Sequence, residues 1–142
     1  MLTNPLHQLN MTYYLQEITR IKNTCYSNRG QLDTVIGTRH LIENNFDKEL
    51  NLKLLAHTRF TSKFHLLRLY KRYYGQTPKQ FLTDKRIEHA KKLLTKGTTV
   101  TETCYTIGFE SPCSFSTLFK SRVGLSPTEF QKRATLTMPG TI

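Results

Sequence analysis

The chain has 142 residues, with 21 Lys or Arg against 10 Asp or Glu and a formal net charge of +11. That length allows one domain with a real core, or two small units sharing an element. The charge favours a polyanionic partner, no apolar run approaches a membrane span, and the opening residues do not read as a secretory leader, so a cytoplasmic chain with no membrane partner is expected.

Enzyme chemistry finds no footing. Cys25, Cys104 and Cys113 form no CxxC pair and read as free thiols. The five His show no metal-ligand spacing. There is no Gly-rich phosphate loop and no arguable Ser/His/Asp set, so no metal, cofactor or catalytic residue is expected.

In chain order, residues 1–10 read as a loose leader. Residues 11–25 predict a helix with Tyr14, Ile18, Ile21 and Cys25 on one face, closed by Asn28-Arg29-Gly30. That helix is expected to pack on the domain, with a partner or dimer surface as the alternative. Asp33 then suits an N-cap for a helix that turns Val35, Ile36, Leu41, Ile42 and Phe46 to a core. Asp47-Lys48-Glu49 is a polar turn, and Asn51 can cap a short helix over Leu52–His57.

From Phe60 to Phe81 runs FTSKFHLLRLYKRYYGQTPKQF, and from Phe109 to Phe130 runs FESPCSFSTLFKSRVGLSPTEF. Phe60, Ser62, Leu66, Leu69, Tyr70, Lys71, Gly75, Pro78 and Phe81 match Phe109, Ser111, Phe115, Leu118, Phe119, Lys120, Gly124, Pro127 and Phe130 at one constant offset, the mark of an internal repeat. Each copy predicts a Ser-capped helix, a stop at Gly, and a second helix opened by Thr77-Pro78 or Ser126-Pro127. In the first copy, Leu66, Leu69, Tyr70 and Tyr73 form the expected buried side. A short apolar helix precedes each copy, with Cys104 of the second in the place of Ala56, where a free Cys serves as a small hydrophobe. Short helix, tight turn and capped helix outline a helix-turn-helix.

A helix from Pro78 to about Thr95 lies between the copies, with Phe81, Leu82, Ile87, Ala90, Leu93 and Leu94 apolar and Lys96-Gly97 at its end. It would be a rod of about 27 Å, compatible with readers in major grooves about 34 Å apart. A last short helix begins at Pro127, and residues 134–142 read as a disordered tail. The charge is uneven, since residues 46–142 hold seventeen of the Lys and Arg and seven of the Asp and Glu.

The residues Ala56, Ser62, Arg68, Tyr70, Gly75, Arg86-Ile87, Ala90, Leu93-Leu94, Gly108-Phe109, Phe115, Phe119-Lys120, Gly124 and Ser126-Pro127 resemble the AraC/XylS-type transcription regulator domain over about residues 35–133. The run IGFESPCSFSTLFKSRVGLSP is its most specific part. The resemblance implies an all-α fold with two helix-turn-helix subdomains joined by a long linker helix, about seven helices plus an N-terminal helix. The expected boundaries are a leader and helix over 1–32, subdomains over 33–76 and 97–133, the linker over 77–96 and a tail over 134–142. About 30 residues precede the match, so the chain reads as a stand-alone binding domain or a fragment of a longer protein, and Met1 favours the former.

By the same resemblance, Phe64, Leu67 and Arg68 of the first reader face base edges, as do Pro112, Cys113, Ser114 and Thr117 of the second. Lys63 joins the first set and also suits a phosphate. Arg68 can donate twice to a guanine edge, and Phe64 and Leu67 can meet thymine methyl groups. Ser62, Lys71, Arg72, Ser111, Lys120 and Arg122 are the expected phosphate contacts. The expected partner is double-stranded DNA, with RNA polymerase as a further contact and the chain acting as a monomer or weak dimer. The alternative is a helical interaction module that meets RNA polymerase or another acidic partner without reading bases.

Overall fold

A computed structural model describes residues 5–137, which form seven helices and no strand among the described residues. They are α1 (Pro5–Asn45), α2 (Leu52–Thr58), α3 (Lys63–Tyr74), α4 (Pro78–Thr95), α5 (Val100–Thr106), α6 (Pro112–Val123) and α7 (Pro127–Thr137).

The first stretch differs from the sequence reading. Instead of a leader and two helices broken near Gly30, α1 is one helix of 41 residues, so the N-terminal helix and the first helix of the domain are fused. A single Gly inside a helix costs about 1 kcal/mol and does not by itself end it. Asp33 therefore lies mid-helix and caps nothing. Val35, Thr38 and Ile42 are fully buried, whereas Ile36 turns outward. On the face expected to pack on the domain, Tyr14 is 60% and Ile21 52% exposed and Ile18 half-buried, while the Cys25 side chain lies outside the described residues.

Two cores follow. Val35 and Ile42 of α1 join Leu55, Ala56, Leu66, Leu69, Tyr70, Phe81 and Leu82 in the first. Ile87, Ala90, Leu94, Cys104, Ile107, Phe115 and Phe119 form the second. The linker helix α4 serves both, through Phe81 and Leu82 early and Ile87, Ala90 and Leu94 late, and Phe46 packs against each. On α3 the expected Tyr73 is 39% exposed. Its neighbour Tyr74 is the one that tucks in, 4.7 Å from the Tyr70 ring. Tyr73 and Tyr74 lie three and four residues after Tyr70, so helical spacing alone suits either.

The caps follow the repeat. Asn51 accepts from Leu54 N at 2.8 Å. Thr77 and Gln80 exchange side-chain and backbone bonds in a capping box, and Ser126 and Glu129 do the same at 2.9 and 3.2 Å. Gly75 and Gly124 close α3 and α6 at φ 71° and 87°, their N–H groups donating to Lys71 O and Lys120 O. Residues 134–137, expected in the tail, continue α7, and Thr135 Oγ1 donates to Gln131 O at 2.9 Å.

The two turns are not register-matched as the sequence alignment has them. Phe60 N donates to His57 O and Thr61 N to Ala56 O, while Gly108 N donates to Tyr105 O and Phe109 N to Cys104 O. Phe60 thus corresponds to Gly108, not Phe109, and the second turn is one residue longer before its Ser cap. The same bonds equate Cys104 with Ala56. Cys104 is fully buried, and burial pushes its thiol up, away from reactivity.

Candidate nucleic-acid interface

Both units present their second helix in the same way. Ser62 accepts from His65 N at 3.2 Å and Ser111 from Ser114 N at 3.5 Å. The two Ser expected to touch phosphate therefore already satisfy first-turn donors. With Leu66, Leu69 and Tyr70 buried, α3 leaves Lys63, Phe64, His65, Arg68, Lys71 and Arg72 exposed. Phe64 is 65% exposed, and Lys63 Nζ lies 5.2 Å from its ring centre. None of Lys63, Arg68, Lys71, Arg72 and Lys120 is in an ion pair among the described residues. Their charge remains available to an anion.

Leu67 is placed differently from the other base-facing candidates. It is half-buried and lines a cleft of about 610 Å³ with Leu55, Leu82, Phe109 and Leu118, between the two units. On α6, Phe115 and Phe119 are buried, Cys113, Ser114 and Thr117 are exposed, and Pro112 is half-buried in the first turn. Thr117 donates its hydroxyl to Cys113 O at 3.0 Å, which occupies its one donor. Arg122 is ion-paired to Asp84 of α4 at 3.0 Å, tying α6 to the linker helix.

Arg86 holds the two units together, and the sequence reading passed over it except as a matched residue. Its Nε donates to Phe46 O at 2.7 Å and its Nη2 to Lys48 O at 2.9 Å. Its guanidinium also lies 5.5 Å from the Phe109 ring centre. Burial lowers its pKa, with Asp47 opposing that shift. The signal was present: Arg86 falls four residues after Leu82 and four before Ala90, on the apolar side of α4. Gly108 completes the joint, because a Cβ there would sit 2.8 Å from Asp47 O.

A family model described as a helix-turn-helix domain matches residues 55–133. The chain belongs to the AraC-type helix-turn-helix family of DNA-binding transcription regulators. An uncharacterised helix-turn-helix-type transcriptional regulator of Pseudoalteromonas carrageenovora is 35% identical over 91 residues, which are 64% of this chain and 54% of that one. The MmsAB operon regulatory protein of Pseudomonas aeruginosa is 32% identical over 105 residues, 73% of this chain and 34% of that one. This AraC-type chain thus spans about a third to a half of these relatives' length.

Among solved structures, the C-terminal domain of AraT, a response regulator from Geobacillus stearothermophilus, matches at a TM-score of 0.69 and 28% identity, covering 70% of this chain and 84% of that one. The DNA-binding domain of the global transcriptional factor AdpA, solved in complex with a target DNA, matches at 0.71 and 23% identity, covering 75% and 97%. That likeness is one of fold. No described helix of this AraC-type chain is long and apolar enough to cross a membrane.

Proposed function

We propose that this chain regulates transcription by reading a long, asymmetric stretch of double-stranded DNA, with α3 and α6 seated in major-groove segments about one turn apart. The observation that carries this reading is the pair of capped helices, each with its first turn outward and unpaired Lys or Arg on its surface. Lys71, Arg72 and Lys120 would meet phosphates, with Arg122 contributing from its pairing to Asp84. We further assign most of the base discrimination to α3. Arg68 is exposed and can donate twice to one base edge, whereas Thr117 has its donor engaged.

The test is footprinting with one chain on sites selected from random duplexes, across a salt series. Two protected major-groove segments about one turn apart are expected, with binding that falls steeply with salt, by about 0.9 log units per log unit of salt for each phosphate met. A nearly flat salt dependence would overturn the reading. Binding to RNA polymerase without preference among duplexes would favour the interaction-module reading instead.

A further inference from the structure

We propose that the N-terminal arm of α1 pairs in parallel with the same arm of a second copy of this chain, as a two-stranded coiled coil. This does not rest on the DNA reading.

Met11, Tyr14, Ile18 and Ile21 follow one another at intervals of three, four and three residues, the a/d spacing of a heptad, and Leu32 falls at a later a position. Met11, Tyr14, Ile21 and Leu32 are all largely exposed. The same helix reaches the first core only from Val35 onward.

The arm's apolar row lies beyond its own domain along α1: Ile21 is only about 40° round the helix from the buried Val35, but fourteen residues, or about 21 Å, before it. Ile18 lies twenty residues before the buried Thr38, which at about 100° per residue puts it about 160° round the helix. Ile36 lies eighteen residues after Ile18, about five full turns at 3.6 residues each, and it too is exposed. A neighbour on this row meets no competition from the domain as far as Leu32, and leaves α1 there, because the next d position, Val35, is buried in the first core.

Charge selects the occupant and its direction. In this register Glu17 is a g position and Lys22 the following e position, the two that meet across a parallel pair. Two copies in parallel would bring Glu17 of each against Lys22 of the other. An antiparallel pair sets g against g and e against e. The g residues Asn10, Glu17 and Thr24 include no cation, and the e residues Leu15, Lys22 and Arg29 no anion, so no register gives a match. Glu17 now accepts from Arg20 Nη2 at 2.7 Å, and a carboxylate can accept further donors. Asn28 falls at a d position, where one polar residue sets register at some cost in stability.

Light scattering on the eluting full chain over a concentration series should approach twice the 16.6 kDa chain mass. Glu17→Lys and Lys22→Glu should each raise the dimer dissociation constant about tenfold, and an equimolar mixture of the two should restore it. Ile18→Asp should give the single-chain mass, with the domain's unfolding midpoint unchanged as a control on folding. A single-chain mass at every concentration overturns the proposal. So does a dimer indifferent to Ile18→Asp, and a dimer whose two charge variants fail to complement overturns the parallel arrangement.

Discussion

Phe60 and Gly108 occupy the same left-handed position in the two turns, at φ 51° and 92°. Only the second is a residue that adopts this conformation without cost. Phe60 gains no packing in return, being 99% exposed.

Phe60→Gly should therefore stabilise the fold. Relief of the left-handed penalty, about 1–2 kcal/mol, exceeds the added flexibility of Gly in the unfolded chain, about 0.5–1 kcal/mol. Urea denaturation should show a higher midpoint, corresponding to an unfolding free energy raised by about 1 kcal/mol. A lowered midpoint would mean that Phe60 makes an interaction its exposure does not reveal.

Arg68→Ala should cost about 1–3 kcal/mol of binding to a selected site and relax preference at one base pair. Thr117→Ala should relax preference less, and Lys71→Ala should weaken all duplexes about equally. Competition binding on a panel of single-base variants reads all three. Equal losses on selected and random DNA for Arg68→Ala would remove it from the base readers.

Arg86→Ala should destabilise by about 2–3 kcal/mol, since it leaves the Phe46 and Lys48 carbonyls without their charged donor. Arg86→Lys should recover only part, because an ammonium lacks the planar fork that reaches both. Thermal unfolding of the three proteins gives the ranking. Equal midpoints for Arg86 and its Ala variant would show that the joint contributes nothing.

The two capping boxes should part company in acid. Backbone hydrogen bonding at Ser126 is the chief cause that holds the Glu129 carboxyl below its ordinary value. A carboxyl depressed in the folded state contributes stability in full above the ordinary range near about 4.3, and loses it as pH falls through the folded value. Gln80, its counterpart in the first unit, does not titrate. From about pH 5 to 3, the unfolding midpoint of the native chain should fall more steeply than that of Glu129→Gln. Parallel curves would exclude a role for the Glu129 charge.

What was legible in the chain was what is decided locally. A Ser or Thr before a helix and a Gly after it act through atoms a few residues away, so the caps at Ser62, Thr77, Ser111 and Gly124 could be read directly. Periodicity likewise placed α4 and its apolar side. What escaped depends on atoms distant in sequence. The outward turn of Ile36 is fixed by which side of α1 meets α3 and α4. The choice of Tyr74 over Tyr73 is fixed by Arg39 of α1, whose guanidinium lies 5.2 Å from the Tyr74 ring centre. The turn register was hidden because two Phe aligned by type, although Phe60 is exposed and Phe109 packs 5.6 Å from Phe115. At the interface, sequence supplied the exposed cations. It could not show that Arg122 is paired to Asp84 or that Leu67 lines a cleft.

Because α4 lends one half of its length to each core, the two units share no boundary at which they could be separated intact. A cut after the first unit would strip Phe81 and Leu82 from their neighbours, or else leave Ile87, Ala90 and Leu94 facing water. The two units are therefore expected to unfold together and not one at a time.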